Sequence, residues 1–170
     1  MIYEPIELYE ICLALARRSA CKKLGYGAVL LHRDNSQQYS LVAQASNSPL
    51  MPLADLCTKE CIRLKIKSGT DSMIGSCAHA EELCLWSAMR DGVRDLRSCE
   101  LFVQGAKPDS SPIILGKDGF YCIRCATQMY LAGIRGVNVW TAEGHWHFIP
   151  SKLAIEQAKL YATRALETAT

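Results

Sequence analysis

Apolar residues at Leu8, Ile11, Cys12 and Leu15 fall at the i, i+3, i+4, i+7 spacing of one helix face and predict a first helix running to about Ala20. The period then changes. Residues 27–31 and 40–44 are short apolar runs flanking a polar segment, His32 to Gln38, whose Asp-Asn-Ser content suits a hairpin connection, so two antiparallel strands are expected. Residues 80–90 read as a helix carrying Leu83, Trp86 and Met89 on one side, with a stop near Asp91-Gly92. Residues 100–104 read as a buried strand, 122–132 as a helix stopped by Gly133, and 136–140 as a further strand. Pro150 and Ser151 open a terminal helix, with Ser151 as its N-cap and Leu153, Ala154, Leu160 and Tyr161 available for packing.

Two stretches break this alternation. Residues 46–76 contain Pro49, Pro52 and Gly69, and a loop of that size inside a compact domain suggests a lid with its own short helix around residues 58–65. Residues 105–121, with Pro108, Pro112, Gly116 and Gly119, form a second insertion. The order α-β-β-α-β-α-β plus a terminal helix predicts an α/β fold with helices on a mixed sheet, and residues 1–170 read as one domain.

Charge and composition narrow the function classes. A net charge of +2, with no run of Lys or Arg longer than a pair, provides no electrostatic stripe for a long polynucleotide and favours a small substrate. The start lacks a basic segment followed by an apolar run, and no apolar stretch is long enough to span a bilayer, so the expected location is cytoplasmic, without a membrane. Nine cysteines without a secretory signal point to metal ligation and buried thiols rather than a disulfide framework. Cys12, Cys21, Cys84 and Cys99 are expected in the core, where a free thiol packs as a small hydrophobe.

The chemistry concentrates in His79-Ala80-Glu81 and Cys122-Ile123-Arg124-Cys125. One imidazole and two thiolates make a three-ligand zinc set that leaves a fourth tetrahedral position for water. Both elements are expected in first turns of helices, where unpaired N–H groups and the helix dipole favour thiolates, and the i, i+3 cysteines share a helix face. A C-x-x-C pair is also compatible with a redox couple or half a zinc knuckle, but those readings give His79 and Glu81 no role. Cys57, Cys61 and Cys77 either clamp the long loop around a structural zinc, for which no fourth ligand is evident, or simply pack.

The two motifs resemble the H-x-E and C-x-x-C signature of zinc-dependent base deaminases. The resemblance extends further. Cys61-Ile62-Arg63 through Ser68-Gly69, then Cys77-Ala78-His79-Ala80-Glu81-Glu82, is similar to the deoxycytidylate (dCMP) deaminase family. So are Leu101-Phe102-Val103, Gly116-Lys117-Asp118 and the run Ala132-Gly133-Ile134-Arg135-Gly136-Val137, giving a likeness over roughly residues 5 to 145. It implies a three-layer α/β/α sandwich, zinc held by His79, Cys122 and Cys125, and Glu81 moving protons to the ring N3 and the departing amino group of a cytosine. It also implies that the Ala80 N–H contacts the pyrimidine carbonyl and that Asn47 hydrogen-bonds sugar or base, although Ser-Asn-Ser-Pro is equally ordinary turn chemistry.

The implied reaction is dCMP to dUMP with release of ammonia, in a homo-oligomer with dCTP and dTTP as effectors. Tyr121 stands where the family usually has proline; it presents a ring either to the substrate or to the core. Leu83-Cys84 replaces a usual Asn-Ala, and the glycine-rich motif tied to triphosphate regulation is not evident around residues 45–49. Glu82 is expected as a surface carboxylate, and His145 and His147, flanking Trp146, as part of an aromatic cluster. Lys22, Lys23, Arg63 and Arg124 are candidates for a phosphate. Two other readings remain: a deaminase of another base or nucleoside, including cytidine and tRNA adenosine, and a non-catalytic zinc- or nucleotide-binding module.

Overall fold

The computed structural model describes residues 3–50, 54, 57, 59–65, 77–114 and 122–167. Helix α1 (Pro5–Arg17) leads into a hairpin of β1 (Gly25–Arg33) and β2 (Tyr39–Ser46), followed by the two-residue β3 (Ser48–Pro49) and β4 (Cys77–Ala78). Next come α2 (Ala80–Arg90), β5 (Cys99–Ala106), β6 (Pro112–Ile113), α3 (Ile123–Ala132), β7 (Gly136–Trp140), β8 (Trp146–Pro150) and α4 (Ser151–Glu167). The main sheet runs β2-β1-β5-β7-β8, with β6 on β5, while β3 and β4 pair separately. β5 and β7 are parallel and the other pairings antiparallel, so the sheet is mixed as expected.

Alternation along the strands separates two cores. Ala28 and Leu30 of β1, Leu101 and Val103 of β5, and Val137 and Val139 of β7 face α2, α3 and α4. Val29, Leu31 and Phe102 face Leu8 and Cys12 of α1 on the opposite side. The result is three layers, with α1 the one helix on its face among the described residues. α1 approaches β1 so closely that a Cβ at Gly27 would stand 2.2 Å from the Cys12 carbonyl oxygen, and one at Gly25 2.0 Å from that of Ala16. No helix among the described residues is long and apolar enough to cross a membrane.

Several expectations are corrected by packing. α1 ends at Arg17 rather than Ala20, and Ser19 beyond it turns its hydroxyl to Asn47. α2 places Ala80, Cys84, Leu85 and Ala88 against the sheet, whereas Trp86 and Met89 are 37% and 48% exposed. Small residues at i, i+4 and i+8 let the helix lie close to the strands, and the bulkier stripe is turned outward. α4 packs through Ala154 and Ala158, leaving Leu153, Leu160 and Tyr161 exposed. Ser151 is the first residue of α4 rather than the residue before it, and its hydroxyl donates to the Ile134 carbonyl. Cys12, Cys84 and Cys99 are core residues, but Cys21 is only half-buried and belongs to neither core. Of the short helix expected near residues 58–65, a 3-10 turn at Ile62–Lys65 is seen.

A buried polar hub lies on the α1 side of the sheet. Glu100 Oε1 accepts from Arg33 at 3.4 Å and from Arg135, and Oε2 accepts from the Tyr39 hydroxyl at 2.9 Å and Asn138 Nδ2 at 3.3 Å. The Trp146 indole donates to the Pro5 carbonyl and its ring meets Phe102 and Trp140 edge-on, whereas His145 and His147 on either side of it are exposed and outside that cluster.

Candidate metal centre and active site

The two short motifs, 43 residues apart from His79 to Cys122, meet because α2 and α3 start side by side at one rim of the sheet. His79 is the N-cap of α2, with extended backbone, and Cys122 is the N-cap of α3. The Cys122 sulfur accepts the Cys125 N–H at 3.4 Å, using a donor that the helix start leaves unpaired. His79 Nδ1 lies 3.1 Å from the Cys125 sulfur and 3.4 Å from the Cys122 sulfur. Around a tetrahedral zinc with ordinary Zn–N and Zn–S lengths, N and S ligands stand roughly 3.6 Å apart. The three donor atoms lie within 4.8 Å of one another, the one such group of His, Cys, Asp or Glu among the described residues. His79, Cys122 and Cys125 are thus positioned to bind a metal, and an N,S,S donor set suits zinc.

The protein groups by themselves already favour a thiolate at Cys122 but not at Cys125. The Cys122 thiol is pulled down to about 4, first by its hydrogen bond with the Cys125 thiol and then by His79. The same bond, followed by burial, raises Cys125. His79 is raised to about 9, chiefly by the Cys122 sulfur. Glu81, in the first turn of α2, is buried and its carboxyl is raised by that burial against the lowering effect of His79. A carboxyl so tuned can hold a proton at a pH where an exposed one cannot.

Glu82 is not the surface group expected. It is 1% exposed; its Oε2 accepts the His79 N–H at 3.0 Å and its Oε1 accepts from Arg124 Nε. One carboxylate therefore caps α2 and ties α2 to α3, which aligns the two halves of the ligand set. The sequence signal was present: an acid three residues after the N-cap is the pattern of a capping box. Arg124, engaged in this pair, is less available to a phosphate than its position suggested.

Asn47 is buried beside this rim and largely committed to the protein. Its Oδ1 accepts from the Tyr26 N–H at 2.6 Å and the Ser19 hydroxyl at 2.7 Å, and its Nδ2 donates to the Leu24 carbonyl at 3.0 Å. One amide hydrogen remains. Ala80 is fully buried at the first position of α2. Tyr121 lies outside the described residues. Tyr26, which sequence reasoning missed, lies on the β1 face shared with Ala28 and Leu30, over the space left by Gly105. Burial raises its phenol, and Glu81 and Cys122 add to the effect, so it borders the centre. Its signal is the period-two alternation of β1. His145 and His147 are not part of the metal group.

Comparison with known proteins agrees with this geometry. Residues 4–141 match the family model described as the cytidine and deoxycytidylate deaminase zinc-binding region. Among solved structures, the cytidine deaminase from Burkholderia pseudomallei shares the fold, with a TM-score of 0.51, 17% identity, and coverage of 88% of this chain and 94% of that one. A mutant cytidine deaminase from Mycobacterium tuberculosis gives a TM-score of 0.45 at 10% identity, over 84% of this chain and 89% of that one. A search of the curated proteins finds no match.

Proposed function

This chain belongs to the cytidine and deoxycytidylate deaminase zinc-binding family, with zinc as its metal, and on that premise we propose that it hydrolyses the exocyclic amine of a cytosine nucleotide, converting dCMP to dUMP and ammonia. The observation that carries the reading is a three-donor centre, His79, Cys122 and Cys125, with the buried carboxyl of Glu81 in electrostatic reach of all three of its members. Zinc held there supplies Lewis acidity and makes water a competent nucleophile near neutral pH.

The chain's own groups do the remainder. Glu81 takes one proton from the attacking water and delivers it to ring N3, then takes the remaining hydroxyl proton at C4 and passes it to the amino group, which leaves as ammonia while the C4 carbonyl forms. The Ala80 N–H orients the pyrimidine carbonyl, and the remaining Nδ2 hydrogen of Asn47 is offered to the sugar or the base. Tyr121 is proposed as a substrate contact from its place in the sequence next to Cys122. Glu82 and Arg124 touch no substrate in this scheme; they position His79 and the cysteine helix.

A nucleotide rather than a nucleoside is supported by Lys22 and Lys23. They follow the Ser19–Cys21 turn, whose hydroxyl is bonded to Asn47. The second reading is a nucleoside, cytidine, after the name of the structural neighbour. Ammonia release from dCMP, CMP, deoxycytidine, cytidine and adenosine in RNA decides between them. Turnover of dCMP at least about tenfold above deoxycytidine is expected, and the reverse order would overturn the phosphate assignment. Repeating the dCMP arm with dCTP and dTTP tests them as effectors, and sedimentation tests the proposed homo-oligomer.

A further inference from the structure

Two serine hydroxyls tie the end of α1 to the end of β2, and they hold different atoms. The Ser46 hydroxyl donates to the Leu15 carbonyl at 2.7 Å, a bond that involves no side chain of the site. The half-buried Ser19, two residues past α1, lies with its hydroxyl 2.7 Å from both the Asn47 carbonyl oxygen and Asn47 Oδ1, while its oxygen accepts the Cys21 N–H at 3.0 Å. A hydroxyl has one hydrogen, so that hydrogen serves the main chain and the side chain of Asn47 together. The approach depends on Gly25, where a Cβ would stand 3.2 Å from Ser19 Cβ and 2.0 Å from the Ala16 carbonyl oxygen.

The rest of Asn47 is held by main chain. Its backbone N–H donates to the Tyr26 carbonyl at 2.9 Å, Oδ1 accepts the Tyr26 N–H at 2.6 Å, and Nδ2 donates to the Leu24 carbonyl at 3.0 Å. A backbone N–H cannot become an acceptor, nor a backbone carbonyl a donor, so the amide of Asn47 has one orientation. With Oδ1 taking donors from both Tyr26 and Ser19, its acceptor capacity is spent inside the protein. What is left to a ligand is one Nδ2 hydrogen. Asn47 can therefore address a bound molecule only as a donor.

We propose that Ser19 is a positioning residue for the substrate: it fixes Asn47 as a donor-only contact, whose remaining Nδ2 hydrogen reads an acceptor oxygen of the bound pyrimidine nucleotide. Ser19 itself touches no substrate. Only the identity of the ligand rests on the proposed function. Without the hydroxyl, the Asn47 carbonyl and Oδ1 each lose a donor and the Cys21 N–H loses its acceptor, so the turn after α1 comes away from Asn47. The amide then has freedom that ligand binding must remove, which weakens binding and leaves the chemistry at the metal centre alone.

Calorimetric binding of dUMP to the zinc-loaded chain, alongside KM and kcat for dCMP, tests it; dUMP keeps the sugar, the phosphate and the ring carbonyl and has no amine to lose. Ser19→Ala should weaken dUMP binding about tenfold and raise KM to match, with kcat within about twofold and zinc content unchanged. Ser19→Thr keeps the hydroxyl and should bind within about threefold of wild type. Ser46→Ala removes the neighbouring tie and should leave dUMP affinity within about twofold. Added to Asn47→Ala, Ser19→Ala should change affinity by less than about twofold, because its route to the ligand is already gone. Wild-type affinity in Ser19→Ala, equal losses in the Ala and Thr variants, or an equal loss in Ser46→Ala would each overturn the role, whether or not Asn47→Ala folds. A wild type that prefers cytidine moves the same comparison to cytidine and uridine and overturns only the phosphate assignment. A wild type that binds none of these pyrimidines overturns the proposed function, and this role with it, before any variant is made.

Discussion

Glu81 and Glu82 are adjacent on α2 and both buried, yet their partners give them different work. Glu82 is consumed by His79 N–H and Arg124, whereas Glu81 lies in the field of His79 and Cys122. Glu81→Gln keeps size and much of the hydrogen bonding but cannot exchange a proton, so turnover should fall by at least about two orders of magnitude with zinc retained. Glu82→Gln should do the opposite, weakening zinc affinity by about 10- to 100-fold while turnover per bound zinc stays near normal, because outer partners orient ligands. Titration with a competing chelator, alongside rates normalised to zinc, separates the two. A Glu81→Gln enzyme with nearly full turnover would remove that residue from the chemistry. At the same scale, Cys122→Ala should lose the catalytic ion and all measurable ammonia release together, because one of three protein ligands is gone.

At the scale of elements, the position of α1 depends on having no side chain at Gly27. A methyl group there would collide with the Cys12 carbonyl and the Ala16 amide nitrogen, at 2.2 and 2.6 Å, and backbone cannot swing aside as a flexible side chain can. Gly27→Ala should therefore displace α1 and destabilise the fold by about 3 kcal/mol or more. A shift in the urea midpoint at unchanged slope measures this; an unchanged midpoint would mean that α1 relocates freely. The same closeness explains the reversed face of α2. A hydrophobic stripe of Leu83, Trp86 and Met89 is the natural inward face by size, but contact with β1 and β2 admits the small side chains of Ala80, Cys84 and Ala88 instead.

Over the whole molecule, the Glu100 hub joins groups from four strands and the β7 approach. Arg33 comes from β1, Tyr39 from β2, Glu100 itself from β5 and Asn138 from β7, with Arg135 just before β7. Removing the carboxylate leaves the Tyr39 hydroxyl and the Asn138 amide without their acceptor, while the guanidinium groups of Arg33 and Arg135, 29% and 40% exposed, can turn to water. Glu100→Ala should cost about 1 to 3 kcal/mol, and Glu100→Gln less, since the amide still accepts hydrogen bonds. Calorimetric unfolding of both variants checks this. Equal, near-wild-type stability in the pair would make the hub an ornament of the sheet rather than one of its fasteners. The tyrosine hydroxyl in the hub is held above its ordinary range, to about 12, by burial and then by Glu100, as a phenol donating to a carboxylate should be.

What the chain determined by itself is local. Strand alternation, the i, i+3 cysteines, Gly133 as a left-handed helix stop at φ 72°, and the ligand types of the zinc centre are all set within a few residues, so they can be read directly. Tertiary structure decided what depends on distance between segments. It buried Glu82 against Arg124, turned the larger face of α2 outward, committed three of the four hydrogen-bonding positions of Asn47 to the protein, and brought Cys21 to Cys77. A side chain's period along the sequence states which neighbours share its face. Which face lies close to another element, and which polar group waits there, is fixed only when the layers pack and every buried donor and acceptor must find a partner.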